Sequence, residues 1–254
     1  MVTTQEQTVG AVLGRMQDRI DALPADLAHR RIFASTYRRT TQAVGAAIDD
    51  ALFEDPEWVE RWDVAFADLF LDAHDADRQG RVPDVPRPWR LAFDAPADLP
   101  PLRQVLLGIN AHVNYDLPAA MLAVISDDEF ADPVLLDRRR RDHERIDGVL
   151  ASRVAAEDEA IGAHSVVDRL LTPLNRLASR RFLREARRKV WHNVEQLQAA
   201  RLAGDDAYRH RLAELEVLSA AKIADLMAPV QVLLRLAVAG FGVLLPPQQL
   251  VAGG

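Results

Sequence analysis

The sequence predicts a mainly α protein, a single-domain bundle of about eight helices with a long proline-rich loop. Apolar residues recur at helical spacing in most segments, and several prolines directly follow residues that cap helix N-termini. No run of alternating β-branched residues between turns is typical of a strand. The 254 residues are 49% hydrophobic, enough to bury a sizeable core, and contain no cysteine for disulfides or thiolate metal sites. We therefore expect one helical domain over residues 1–254.

Helix starts are marked by capping residues. In Asp55-Pro56 and Asp132-Pro133, a good N-cap precedes a proline suited to the first helical position. Thr172-Pro173 repeats the pattern. With the apolar spacing between these starts, the sequence predicts helices near 4–23, 27–53, 56–77, 100–126, 133–160, 173–203, 205–228 and 229–245.

Residues 76–101 break the helical pattern. They contain six of the 14 prolines, together with Trp89 and Phe93. Because solvated linkers rarely carry so much apolar surface, we expect an ordered loop that packs across the helices. The segment is a candidate lid in which Trp89 helps to close a pocket, and a plain connecting loop is the alternative.

Residues 226–245 form the most apolar stretch, in which only Arg235 is charged. Twenty such residues are long enough to cross a bilayer. Pro229 and Gln231 near its start favour a buried C-terminal helix instead, with peripheral membrane contact as the alternative.

Several classes of protein are disfavoured by composition and motifs. The formal net charge of −7 argues against a general nucleic-acid binder. The absence of cysteine favours a cytoplasmic protein, and the N-terminal residues lack the features of a secretion signal. The sequence has no phosphate-binding glycine loop, no G-x-S-x-G elbow and no H-E-x-x-H motif, so a nucleotide or nicotinamide enzyme of a standard fold is not expected.

A polar cluster at the centre of residues 106–125 is the strongest functional signal. Its flanks are aliphatic, as in a helix buried on most sides. An unsatisfied buried polar group costs about 1–3 kcal/mol, so such groups persist when they find partners or line a functional cavity. A buried network that only fixes the helix register is the alternative. The cluster contains Asn110, His112, Asn114, Tyr115 and Asp116, followed by Pro118.

His112 and Asp116 lie four residues apart and therefore share one helix face. The carboxylate can orient the imidazole as a general base, or both can bind one metal ion. We assign catalytic roles to these two residues and to Tyr115. Substrate contacts are expected from Asn110, Asn114 and Trp89.

The pair His143 and Asp147 repeats the four-residue spacing. Its charged surroundings favour an exposed helix face with ion pairs. If both pairs faced one cavity, the four side chains would suit zinc, manganese or iron. The metal-site hypothesis therefore comprises His112, Asp116, His143 and Asp147.

The motif NAHVNYDLP at 110–118 resembles that of an actinobacterial family described only as a domain of unknown function. Residues 32–44, 53–73 and 85–95 resemble the same family, so the resemblance covers most of the chain. It implies a helical single-domain protein and no particular activity. The chain is also similar, more faintly, to the zinc-dependent phospholipases C and P1-type nucleases, which are helical, of similar size, and use His-x-x-x-Asp pairs.

Three functions are consistent with these patterns. The leading hypothesis is an enzyme whose interior site at 110–118 acts on a small, partly apolar substrate, with metal-assisted hydrolysis as the first reaction class. The alternative is a non-catalytic helical protein that binds an apolar ligand, a membrane surface or a partner through 226–245 and the basic residues 169–189. A third is an isoprenoid-type cyclase that binds magnesium at Asp49-Asp50 or at 127–129.

Overall fold

The computed structural model describes residues 8–161 and 188–227, with the backbone alone at 102, 147 and 150–161. Every regular element within these residues is helical, which confirms the predicted mainly α bundle. The helices are α1 (Val9–Asp21), α2 (Arg30–Asp49), α3 (Pro56–Arg78), α4 (Arg87–Phe93), α5 (Pro101–Ala111), α6 (Leu117–Val124), α7 (Asp127–Ala131), α8 (Pro133–Ile161), α9 (188–203) and α10 (Asp205–Met227).

The predicted caps are present at two helix starts. The Asp55 side chain accepts a hydrogen bond from the Trp58 amide at 3.1 Å. At the start of α8, Asp132 accepts from the Val134 amide at 2.8 Å. These bonds satisfy amide groups that have no partner within the helix. Residues able to form them are favoured at helix starts, so both starts could be predicted from the sequence. Thr172-Pro173 and the predicted helix at 229–245 lie outside the described residues.

Helix α3 occupies the centre of the core and packs against α1, α2 and α6. Trp58, Trp62 and Phe66 follow one another at four-residue intervals along its buried face. Their rings are nearly parallel, with centroids 5.8 Å and then 6.3 Å apart. This face brings a row of aromatic rings up to the polar cluster on α5 and α6.

The proline-rich segment is packed, as expected, and it contains a short helix that was not predicted. Residues 87–93 form α4, whose buried residues include Trp89 and Phe93, and which packs against α5 and α10. The prediction missed this helix because closely spaced prolines usually mark a loop. Pro88 lies in the first turn, where its missing N–H costs no hydrogen bond and its fixed φ suits the helix.

The predicted helix over 100–126 is interrupted by one π turn, His112–Asp116, between α5 and α6. The Leu117 amide donates to the carbonyl of His112, five residues earlier. Pro118 has no N–H to donate to the Asn114 carbonyl, so the α-helical pattern cannot continue unchanged there. Isolated π turns occur often at functional sites, and this one lies at the polar cluster.

None of the helices in the described residues is both long and apolar enough to cross a membrane. Most of the apolar segment 226–245 is outside those residues, so the prediction about it stays untested.

Candidate functional site

His112 and Asp116 form a buried pair in the π turn, only 3% and 2% exposed. His112 Nδ1 and Asp116 Oδ2 are 2.8 Å apart. The same carboxylate oxygen accepts a hydrogen bond from Trp89 Nε1 at 2.7 Å. A carboxylate oxygen that accepts in this way favours a proton on Nδ1 and leaves the lone pair on Nε2.

Aromatic rings enclose the imidazole of His112. Phe66 stacks on it face to face, with centroids 3.5 Å apart, and Tyr37 meets it edge-on at 4.3 Å. Phe33 and Trp89 lie at 6.4 Å and 5.8 Å. Nε2 is buried and has no hydrogen-bond partner among the described residues. The site therefore holds an oriented, unpartnered acceptor in apolar surroundings.

Burial opposes charge on both members of the pair. It lowers the pKa of His112, although the bond to Asp116 acts in the opposite direction. It raises the pKa of Asp116, partly countered by the hydrogen bonds from His112 and Trp89. The imidazole is therefore held in its neutral form, the form that can accept a proton.

The two asparagines bond along the helix. Asn110 Nδ2 donates to the Leu106 carbonyl at 2.8 Å, and Asn114 Nδ2 donates to Asn110 Oδ1 at 2.9 Å. Both side chains are half-buried. Their predicted contact with a substrate stays a prediction.

Tyr115 packs on another part of the protein. Its ring contacts a second apolar cluster that includes Leu197 of α9 and Leu215 of α10. Burial, with Glu216 nearby, raises the pKa of its hydroxyl. Nothing in these contacts joins Tyr115 to the imidazole of His112, and its catalytic role stays a prediction.

His143 lies apart from His112. Its Nδ1 accepts a hydrogen bond from Trp191 Nε1 at 3.0 Å, and its ring meets the edge of Trp62 at 5.4 Å. Ring contacts then continue from Trp62 to Phe66 and from Phe66 to His112, so two aromatic side chains separate the histidines. The described part of the chain contains no group of three or more His, Asp or Glu side chains that could hold a metal ion. The four-residue metal site is therefore not assembled there, and the side chain of Asp147 lies outside the described set.

Asp127 and Glu129, two of the three acids in the run after α6, have structural partners. Asp127 pairs with Arg201 and accepts a hydrogen bond from Gln198. Glu129 pairs with Arg139 and completes a capping box with Ser126. Asp127 and Glu129 neutralise arginines, and Glu129 also caps α7, while the magnesium site at this run stays a prediction.

Asp63 is a buried acid that the sequence prediction missed. It is 5% exposed, and its Oδ2 has no hydrogen-bond partner among the described residues. Burial, with a smaller effect of Glu60, raises its pKa to about 7. A signal was present in the sequence, because Asp63 lies on the same helical face as the apolar residues Val59 and Phe70.

A cavity of about 30 Å³ lies between α2, α3, α4 and α5. Phe33, Phe70 and Trp89 line it, and each of these rings also lies within 6.4 Å of the His112 ring. Its polar lining comes from residues such as His29 and Arg30. The space admits a few water molecules or a small functional group. One layer of aromatic rings separates it from the imidazole.

Comparison with known proteins gives a family and no activity. A search of curated proteins found no match, and neither did a search of solved structures. Residues 9–229 match a family of unknown function, DUF5995, in agreement with the resemblance noted in the sequence. The match spans most of the chain, including the π turn and the helices around it, so the chain belongs to the DUF5995 family.

Proposed function

We propose that the chain is an enzyme in which His112, oriented by Asp116, acts as a general base on a small, partly apolar molecule. The observation that carries the proposal is the Nε2 atom of His112, which is buried without a partner. Leaving such an acceptor unsatisfied costs about 1–3 kcal/mol. A site that binds a proton donor in one step of its cycle explains why the protein retains this cost.

Each neighbour of the imidazole has a role in this proposal. Asp116 stabilises the charge that forms when His112 accepts a proton, and the bond from Trp89 holds Asp116 in place. The ring of Phe66 fixes the plane of the imidazole. The lowered pKa of His112 keeps the base neutral and ready at pH 7.

Hydrolysis is the reaction class we infer, because a base alone can activate water as the nucleophile. The proposal requires no metal, although it excludes none. The substrate would enter through the cavity between α2 and α4, and the rings of Phe33 and Trp89 in its wall would move to let it reach His112. Apolar walls of this kind suit a substrate with a hydrocarbon or aromatic part.

A non-catalytic binder of a small apolar ligand is the second candidate. The observation that favours it is the burial of His112 and Asp116, since both side chains are at most 3% exposed. In this case His112 and Asp116 would only anchor the π turn. The two candidates differ in whether a small molecule reaches Nε2.

Diethyl pyrocarbonate tests that access without a known substrate, because it acylates neutral imidazole nitrogens. We expect the rate at which His112 is modified in the native protein to exceed the rate of global unfolding, as measured by peptide mass spectrometry. His210, which is 77% exposed, provides the reference rate. Modification of His112 only at the unfolding rate would favour the non-catalytic candidate.

A panel of chromogenic esters and amides with short apolar groups tests catalysis directly. Loss of a positioned general base lowers the rate by about 10²–10⁴-fold. We expect this loss in His112→Asn, with the fold checked by circular dichroism, and no loss in the control His210→Asn. Equal turnover by wild type and His112→Asn would contradict the proposal.

A further inference from the structure

The cavity between α2 and α4 has a polar end that the His112 site does not use. His29 and Arg30, at the start of α2, both line it. Both ring nitrogens of His29 and the Nε atom of Arg30 are buried without a hydrogen-bond partner among the described residues. Three unsatisfied polar atoms at one opening are costly unless a bound molecule or water satisfies them.

Arg30 presents a defined edge at this end. Its Nη1 donates to Asp77, and its guanidinium lies over the ring of Phe93, with 5.0 Å between Cζ and the ring centroid. These contacts fix the plane of the guanidinium and leave its Nε–Nη2 edge without a partner among the described residues. Two parallel N–H groups on one edge match the two oxygens of a carboxylate.

The charged side chains at this end are paired with one another, which leaves the N-terminus of α2 to set the local potential. Asp77 neutralises the charge of Arg30, and Asp75 is held by Arg19 and His74. The N-terminus of α2 then adds positive potential, because its 20 residues contribute an aligned dipole and its first turn contains no acidic residue.

Most of the remaining lining of the cavity is apolar, apart from His74 and Gln104. Phe33, Phe70 and Trp89 form an aromatic wall, and Ala34 and Ala92 leave room beside it. A ligand that satisfies both ends must carry an acidic group and a small hydrocarbon or aromatic part.

We propose that this cavity binds the acidic group of a small carboxylate, held by the Nε–Nη2 edge of Arg30 and by His29. Because the cavity of about 30 Å³ holds little more than that group, Phe33, Phe70 and Trp89 shift to admit the apolar part beside them. The inference that such a carboxylate is the substrate rests on the proposed base at His112. The inference that the cavity binds a carboxylate depends only on the residues of the cavity.

Titration with benzoate, butyrate and the neutral analogue benzamide tests the inference, with calorimetry and the arginine Nε–H signals in ¹⁵N–¹H spectra as readouts. We expect saturable binding of the carboxylates, with a shift of the Arg30 Nε–H signal, and at least about tenfold weaker binding of benzamide. Inorganic phosphate should bind more weakly than benzoate, because it has no part to place against the aromatic wall.

Two variants isolate the guanidinium edge. Arg30→Lys keeps a cation beside Asp77 but removes the Nε–Nη2 edge, and should weaken benzoate binding at least about tenfold. Arg39→Gln removes an exposed arginine of the same helix and should leave binding unchanged. Thermal unfolding of each variant checks that the fold is kept.

Failure here is distinguishable from failure of the proposed base. Benzoate should bind to His112→Asn as it does to the wild type, whatever that variant does to activity. Equal binding of benzamide and benzoate, unchanged binding to Arg30→Lys, or no saturable binding of any carboxylate would overturn the inference.

Discussion

Trp89 donates a hydrogen bond to Asp116 across 27 residues of sequence, at 2.7 Å and with both side chains buried. The bond joins α4 to the π turn, and it ends on the carboxylate oxygen that also contacts His112. The geometry of the histidine therefore depends on a helix in the proline-rich segment. A change in α4 is expected to reach the imidazole through this oxygen and through the ring of Trp89, whose centroid lies 5.8 Å from that of His112.

Trp89→Phe tests the energetic value of this bond. The substitution keeps an aromatic ring but leaves Asp116 without one of its donors, which should lower the free energy of unfolding by about 1–3 kcal/mol. Chemical denaturation measures the difference. Trp58→Phe is the matched control, because Trp58 is equally buried and its Nε1 has no partner among the described residues. Equal losses in the two variants would show that the bond contributes nothing beyond ring size.

The sequence alone predicts the helices and the His112–Asp116 pair, because both depend on local spacing. Apolar periodicity and the cap at Asp55 are properties of neighbouring residues. The four-residue interval places two side chains on one helix face, even where a π turn replaces the α-helix.

The partners of these residues could not be predicted, because they come from distant segments. Trp191 reaches His143 from 48 residues away, and no spacing rule connects them. The separation of His143 from His112 likewise depends on how α8 packs beside Trp62. Helix α4 was missed for a different reason, since prolines at a helix start and in a loop look alike in sequence.

Asp63 should make stability depend on pH. Its pKa is about 7 in the folded protein and near the ordinary aspartate value when unfolded, so the folded state binds more protons between these values. The contribution of Asp63 to the free energy of unfolding is therefore fully present below about pH 4. It is lost as the pH rises from 4 to about 7, by at most about 1.4 kcal/mol per pH unit.

Asp63→Asn should remove this slope, which denaturation at a series of pH values measures. The carboxylate cannot form in the variant, so its stability relative to wild type should increase from pH 4 to pH 8. Asp18→Asn changes an exposed aspartate of α1 and serves as the control. A wild-type slope that survives in Asp63→Asn would assign the titration to another group.

Gly108→Ala should destabilise the protein although alanine favours helices. A Cβ at Gly108 would lie 2.3 Å from a ring carbon of Phe33, so α2 and α5 would have to separate or the ring would have to move. Overpacking of this kind costs about 1–3 kcal/mol. Gly14→Ala is the matched control in α1, where nothing lies within 4 Å. It should stabilise by about 0.5–1 kcal/mol, and thermal unfolding of both variants measures the contrast.

The ring nitrogens of His112 provide the most direct test of the pair. Because burial lowers its pKa and Asp116 accepts at Nδ1, ¹⁵N spectra at pH 7 should show a neutral ring with the proton on Nδ1.

Asp116→Asn keeps an oxygen that can accept from Nδ1 but removes the carboxylate charge that favours the imidazolium. The pKa of His112 should therefore fall further in this variant, and its ring should stay neutral at a lower pH than in the wild type. The exposed His210 gives the reference signal in both proteins. A wild-type ring with its proton on Nε2 would contradict the assignment, because that nitrogen could then donate a hydrogen bond but could not act as a base.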